Sequence, residues 1–169
     1  MDAYVDWIVK KQKSFIEHLA AFSIVIACFV LACFILTQFS RYLGFISIFI
    51  AIGAIYLAYR LVMRTNIEYE YIFTNGSFDI DIIYAKSTRK RIFSAECKDF
   101  EILAKLSNQK SNEQTDKTLR NIHAESSQNS SGVYYFILPY EGRRTVVYFE
   151  PDVRLLDCFR KFIPGKLKE

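Results

Sequence analysis

Motifs that would assign a chemical activity are missing from this sequence. It has two histidines and four cysteines, no Cys-x-x-Cys pair, and no spacing between His18 and His123 that suits a metal ion. Its six glycines form no phosphate-binding loop, and the GxSxG, HExxH and Walker patterns do not occur. Because catalysis needs a constellation of this kind, we expect a protein that is not an enzyme and that holds no metal and no cofactor.

Positive charge is scarce in the part of the chain that could bind nucleic acid. From Thr65 onward there are 16 Lys plus Arg and 15 Asp plus Glu, so this part has a net charge of +1. Nucleic-acid-binding domains carry a much stronger basic patch. We therefore expect no nucleic-acid partner.

Cys97 and Cys158 each stand alone in this part of the chain, and we interpret them as reduced thiols of a cytoplasmic domain.

Charge is absent altogether from two long apolar runs near the start of the chain. The 22 residues between His18 and Arg41 carry none, and neither do the 18 residues between Arg41 and Arg60. A helix needs about 20 apolar residues to cross a bilayer, so we predict two spans, about 19–39 and 42–62. Their short connection favours an antiparallel hairpin, whereas a buried soluble hairpin and a cleaved signal peptide fit less well.

Lys and Arg near the span ends predict the orientation. The outer ends of the spans are flanked by Lys10, Lys11, Lys13, Arg60 and Arg64, and the turn holds only Arg41. The positive-inside rule then places both termini in the cytoplasm of a multi-pass protein of the cell membrane. We interpret the residues before the first span as an interfacial helix, with Tyr4 and Trp7 either at the lipid headgroups or packed on the soluble domain.

Alternating apolar and polar residues after Arg64 predict antiparallel strands. The stretch "IEYEYIF" is followed by Asn75-Gly76 and then "SFDIDIIY", which is the pattern of two half-buried strands joined by a type I′ turn. Four or five further strands are predicted, with a flexible loop at about 107–132 in which "KTLRNIHAE" could form a short strand or a turn of helix. The end of the chain, "PDVRLLDCFRKFIPG", predicts an amphipathic helix.

This order of strands and a final helix resembles a pleckstrin-homology-like (PH-like) domain. The runs "EYEYIFTNGSFDIDIIYAKSTRKRIFS", "SSGVYYFIL" and "VYFEPDVRLLDCFRKFIPGK" are similar to a family of small Bacillota membrane proteins that combine a two-span hairpin with a PH-like domain. The resemblance implies a transmembrane hairpin at 1–64 and, at 65–169, a cytoplasmic antiparallel barrel with a C-terminal helix. It implies no activity and no functional residues.

Phosphoinositide-binding PH domains resemble one another in a basic loop between their first two strands. In this sequence we interpret that loop as the two-residue Asn75-Gly76 turn, which has acidic residues behind it, and we expect no inositol phosphate binding by that route. The basic stretch 86–91 should instead lie at the membrane-facing end of the domain, where Lys86, Arg89 and Lys90 could contact anionic lipid. The alternative is that these cations pair with the acidic residues of the hairpin.

These features favour a membrane-anchored interaction or scaffold protein, an accessory subunit of a membrane complex. The alternative is a module that senses lipid headgroups or organises the membrane through the basic loop 86–91. The expected partners are the surrounding lipids and a protein that the sequence does not identify. Small residues of the second span, Gly44, Ser47, Ala51 and Ala54, suggest a homo-oligomer through the hairpin.

Overall fold

The computed structural model describes residues 3–108 and 119–168, and the chain forms two compact units. The helical unit contains Lys13–Ile67 together with the short stretch Tyr84–Ser87. The barrel unit contains the chain up to Gln12, then Glu68–Ile83 and the chain from Thr88 onward.

The helical unit is a hairpin of apolar helices. Helix α1 (Phe15–Phe34) continues through a π-helical turn (Ile35–Phe39) into the short α2 (Ser40–Leu43), and α3 (Ile46–Arg64) returns the chain. The stretches Phe15–Gln38 and Ile46–Arg64 are long and apolar enough to cross a membrane. They overlap the predicted spans.

The contact between α1 and α3 uses small side chains. Ser47, Ala51 and Ala58 of α3 and Ala32 of α1 are buried, while the large apolar side chains of both helices point outward. Two of the residues that suggested self-association, Ser47 and Ala51, are thus already buried within the hairpin itself.

In the described part of the barrel unit, the strands form two sheets and there is one α-helix. The first sheet has the order β1-β2-β3-β4, with β1 at Tyr4–Lys10, β2 at Ile67–Thr74, β3 at Ser77–Tyr84 and β4 at Thr88–Glu96. The second has the order β6-β8-β7-β5-β9, with β5 at Ile102–Lys105, β6 at Arg120–His123, β7 at Tyr134–Tyr140, β8 at Arg143–Phe149 and β9 at Leu167–Lys168. Helix α4 occupies Val153–Phe162.

The prediction of an interfacial helix before the first span is wrong. These residues form β1, which pairs antiparallel with β2 from Tyr4 opposite Thr74 to Lys10 opposite Glu68. The reason is the period-two face of Val5, Trp7 and Val9, which a helical interpretation of the segment overlooks. The helical hairpin is therefore inserted between the first two strands of the barrel, and the predicted segment 1–64 combines parts of both units.

This insertion also changes the argument about inositol phosphates. The connection between the first two strands is the helical hairpin, because Asn75 and Gly76 join the second strand to the third. The Asn75-Gly76 turn is therefore not the loop that binds inositol phosphates in phosphoinositide-binding PH domains. Its shortness no longer argues against such binding.

The tight turn itself is confirmed. Asn75 and Gly76 have φ angles of +49° and +96°, the positive values that a type I′ turn requires. The Asn75 side chain also accepts the Ala3 N–H at 2.8 Å, and the Asn75 N–H donates to the Ala3 carbonyl at 2.9 Å. The turn therefore fixes the start of β1 as well.

The core is built mainly from phenylalanines. Phe78 lies at its centre, with the rings of Phe149 and Phe159 at centroid distances of 5.4 and 5.2 Å, and Phe100 stacks on Phe136 at 4.1 Å. Helix α4 supplies the buried Phe159 and Leu155, and Ile163 directly after the helix is buried as well. The helix begins after Asp152, whose carboxylate accepts the Leu155 N–H at 2.8 Å.

Within the predicted flexible loop at 107–132, the short strand that the sequence left open forms as β6. The loop after it is more ordered than predicted, because Ala124, Glu125 and Ser126 are buried. Residues 109–118 of this prediction lie outside the described part of the chain.

Candidate functional site

The predicted basic contact residues lie in and after the turn between β3 and β4. Lys86 is in the turn and has a positive φ of 56°, whereas Arg89 and Lys90 are in β4; all three are exposed. Within the helical unit the turn is attached to the end of α3, because the Ala85 N–H donates to the Asn66 carbonyl at 2.9 Å. Lys86 thus lies near the end of α3, as a membrane-facing turn requires.

Acidic residues of the β2–β3 hairpin engage part of the basic stretch. The Arg89 guanidinium lies 3.0 Å from Glu70 Oε2, and Arg91 lies 2.9 Å from both Asp79 and Asp81. The hydrogen bond to Asp81 raises the pKa of Arg91. Arg89 therefore pairs with an acidic residue of the hairpin, which was the alternative to lipid contact. The three predicted residues Lys86, Arg89 and Lys90 do not form one cluster of free charges.

Lys86 and Lys90 differ from Arg89 in having no ion pair with any described residue. They are the two members of the predicted set whose charges stay available to a ligand. In the same described part of the chain, no group of three or more His, Cys, Asp or Glu side chains could hold a metal ion.

A polar cluster that the sequence did not predict surrounds the buried Tyr71 of β2. The Tyr71 hydroxyl donates to the Ala124 carbonyl at 2.5 Å and accepts the Glu150 N–H at 3.2 Å. Burial raises the pKa of Tyr71 far above its usual value, so the hydroxyl stays protonated. This one side chain connects β2 to the loop after β6 and to the end of β8.

The carboxylate of Glu150 holds the same loop. It accepts the Ser126 N–H at 3.2 Å and the hydroxyl of Ser130. Burial raises the pKa of Glu150, but the hydrogen bonds from the two serines outweigh it and leave the pKa lowered. The Ser126 carbonyl in turn accepts the Gln12 N–H at 2.8 Å, so the loop also holds the chain shortly before α1.

Glu125 is the most deeply buried carboxylate of this cluster, with a side chain only 5% exposed. His123 Nδ1 lies 2.8 Å from its Oε1, and Oε2 is buried without a hydrogen-bond partner among the described residues. The His123 ring stacks on Tyr148 with a centroid distance of 4.9 Å. The cluster can therefore fix the loop after β6 in place. The Glu125 Oε2 atom, however, is buried, so a ligand in solution has no access to it.

The sequence contained no signal for this cluster. Tyr71 lies 53 residues from Ala124 and 79 residues from Glu150, and the contacts form only in the folded barrel. The stretch "ESSQNSSG" has the composition of a loop, and composition does not reveal which loops are hydrogen-bonded from within.

Among the described residues of the barrel unit, the large apolar side chains that are exposed lie on two neighbouring elements. They are Tyr4, Trp7 and Ile8 of β1, and Val153 and Phe162 of α4. The two elements are in contact, and the Asp6 carboxylate contributes, after Asp152, to the raised pKa of Arg154 in α4. We call these five residues the β1–α4 surface.

Two mainly antiparallel sheets around a phenylalanine core, with a helix packed into that core, define a PH-like barrel. Within the second sheet, β6 pairs parallel to β8 and β9 pairs parallel to β5. The chain belongs to the family described as bacterial PH-like domain (DUF6106), whose model matches residues 1–169. No curated protein and no solved structure matches the chain. The PH-like part of the resemblance is confirmed, whereas the assignment to Bacillota stays a prediction.

Proposed function

We propose that this protein is a non-catalytic interaction module anchored in the cell membrane by its helical hairpin. Both termini and the barrel lie on the cytoplasmic side in this proposal. The module serves as a scaffold or accessory subunit and binds a protein partner through the β1–α4 surface.

The membrane anchor is supported by the exposure of the two apolar helices. Only 6% of the first apolar stretch and 17% of the second is buried, so neither is the core helix of a soluble domain. Leaving this much apolar surface in water is unfavourable, at about 25 cal/mol for each Å². The hydroxyls of Ser23 and Thr37 donate to carbonyls of their own helix, at 2.9 and 3.0 Å, which is how such groups are satisfied in lipid.

The observation that carries the interaction role is the β1–α4 surface. Its five large apolar residues include Trp7, at 36% exposed, and Val153, at 70% exposed. Tyr4 and Ile8 share one face of β1 and Trp7 lies on the other, so the surface follows both faces of this edge strand. Exposed apolar groups on adjoining elements are typical of protein-binding surfaces, and aromatic residues supply much of the energy there. A partner with an apolar helix or strand fits this surface best.

The test is purification of the tagged full-length protein from native membranes in mild detergent. We expect one protein to copurify with the wild type in stoichiometric amount, and we expect the Val153→Asp variant to lose this protein. Val153 is the first residue of α4, where an acidic side chain favours the helix, so this variant should fold normally. The matched control is Thr88→Asp, on the exposed start of β4, which should retain the partner.

The interaction proposal fails if no protein copurifies, or if both variants retain the same protein equally. In the second case the partner binds elsewhere on the chain. The folded state of each variant is checked by the fluorescence of Trp7, the only tryptophan.

A second candidate function is a module that senses anionic lipid headgroups through the basic stretch 86–91. The observation that favours it is the attachment of the Lys86 turn to the end of α3, together with the unpaired charges of Lys86 and Lys90. Charge reversal at both lysines should then weaken the preference of the reconstituted protein for anionic lipid. The same reversal should leave protein copurification unchanged, which separates this function from the first.

A further inference from the structure

We propose that the C-terminal half of α3 carries a binding site for one anionic phospholipid of the cytoplasmic leaflet. The lipid phosphate binds Arg60 and Arg64, and one acyl chain lies along Leu57 and Leu61. The inference rests on the proposed membrane anchor, but it uses residues outside the basic stretch 86–91.

The site is a cleft on one side of α3. It has a volume of about 310 Å³ and is lined by Tyr56, Leu57, Arg60, Leu61 and Arg64. These positions recur at intervals of three and four residues, so they lie above one another on consecutive turns of one helix face. The cleft therefore has an apolar part toward the middle of α3 and a cationic part toward its end.

The two guanidinium groups are available to a ligand. Arg89, Arg91 and Arg154 each have a carboxylate within 3.0 Å. Arg60 and Arg64, in contrast, have no ion pair or hydrogen bond to any described residue. Arginine presents a planar set of donors that matches phosphate oxygens bidentately, which makes these two residues suited to a phosphodiester.

A lipid fits this cleft better than a soluble phosphate does. The walls made by Leu57 and Leu61 are exposed on a helix whose outward face is apolar almost throughout, and a soluble anion would leave them uncovered. An anionic phospholipid covers the leucines and neutralises the arginines with a single molecule. Arg64 and, one turn before it, Arg60 lie near the depth where the headgroup begins, since the apolar stretch ends at Arg64.

The expected strength follows from the two charges. A cation near an anionic leaflet contributes about 1 kcal/mol, which corresponds to about a fivefold change in affinity because 1.4 kcal/mol is tenfold. Arg60→Gln or Arg64→Gln alone should weaken binding about fivefold, and the two together about 25-fold.

The experiment uses the full-length protein in detergent micelles, titrated with phosphatidylglycerol and, separately, with zwitterionic phosphatidylcholine. Bound lipid is counted by native mass spectrometry. We expect one phosphatidylglycerol to remain bound to the wild type at concentrations where phosphatidylcholine does not. The double variant R60Q/R64Q should lose this preference.

The matched control is Arg41→Gln, which removes an exposed arginine from α2, between the two spans. It should bind phosphatidylglycerol as the wild type does. The lipid site is overturned if R60Q/R64Q binds as tightly as the wild type, or if R41Q weakens binding equally, since the second result indicates general charge attraction. Equal binding of both lipids by the wild type overturns it as well.

Alkaline carbonate extraction of wild-type membranes, done in parallel, separates this inference from the proposed anchor. Release of the wild type by carbonate overturns both. Retention of the wild type, together with equal phosphatidylglycerol binding by R60Q/R64Q, overturns only the lipid site.

Discussion

Replacing Tyr71 by phenylalanine should destabilise the barrel strongly, although it removes a single oxygen atom. The ring is wholly buried and keeps its place beside Phe149, at a centroid distance of 5.8 Å, so packing hardly changes. The loss comes from two backbone groups that no longer have a partner: the carbonyl of Ala124, a wholly buried residue, and the N–H of the half-buried Glu150.

The magnitude can be worked from these two groups. A buried polar group left without its partner costs about 1–3 kcal/mol. The Glu150 N–H is less deeply buried, so we expect its cost to lie near the lower end of this range, and the cost of the Ala124 carbonyl to lie near the middle. Together the two groups should lower the free energy of unfolding by about 2–3 kcal/mol. With a urea dependence of about 1–2 kcal/mol per molar, the unfolding midpoint should fall by about 2 M.

Trp7 provides the assay, because it is the only tryptophan and its Cα lies opposite that of Tyr71 in the β1–β2 ladder. Its fluorescence should follow urea unfolding of the barrel in the full-length protein in micelles. Tyr134→Phe is the matched control, since the hydroxyl of this half-buried tyrosine has no hydrogen bond with a described residue. If Tyr71→Phe unfolds within about 0.5 kcal/mol of this control, the argument from unpaired backbone groups is wrong.

Three further predictions concern the turn, the loop and the orientation. Gly76→Ala should cost about 1–3 kcal/mol in urea unfolding, because φ is +96° and the added Cβ would lie 3.2 Å from an aromatic carbon. The lowered pKa of Glu150 gives stability that is complete above the unfolded-state pKa of about 4.3 and lost as the pH falls through the folded value. The protection of the Ser126 amide from hydrogen exchange, relative to its intrinsic rate at each pH, should therefore decrease as the pH falls below that unfolded-state value. In a protein without native cysteines, Arg41→Cys should react with an impermeant maleimide added outside intact cells, and Ser130→Cys only after lysis; the opposite pattern contradicts the positive-inside orientation.

The parts of the fold that could be predicted from the sequence are those set by local patterns. Two uncharged runs indicated the apolar helices, Asn75-Gly76 indicated the hairpin turn, and Asp152 with Pro164 indicated the limits of α4. In each case the residues that determine the structure are neighbours in sequence, so no knowledge of the tertiary fold was needed.

The parts that could not be predicted depend on partners far away in the chain. Strand β1 pairs with residues that follow the entire helical hairpin, so the period-two pattern of Val5, Trp7 and Val9 has no neighbouring strand in the sequence to support it. The same holds for Arg89, whose position beside Glu70 depends on how β2, β3 and β4 assemble. The hydrogen bonds of Tyr71 to the loop after β6 are likewise visible only in the folded barrel.

The position of β1 determines how the barrel can be separated from the membrane. A fragment that begins at Thr65, the boundary suggested by the sequence, lacks β1 and uncovers the side of β2 that carries Tyr71 and Phe73, both wholly buried in the intact chain. Lys10 and Glu68 are opposite each other at the end of the β1–β2 ladder, so a short turn in place of residues 11–67 can join the strands directly. We expect the joined protein to be soluble and to unfold cooperatively, and the fragment that begins at Thr65 to aggregate. A stable, monomeric fragment without β1 would mean that the strand is dispensable for the barrel.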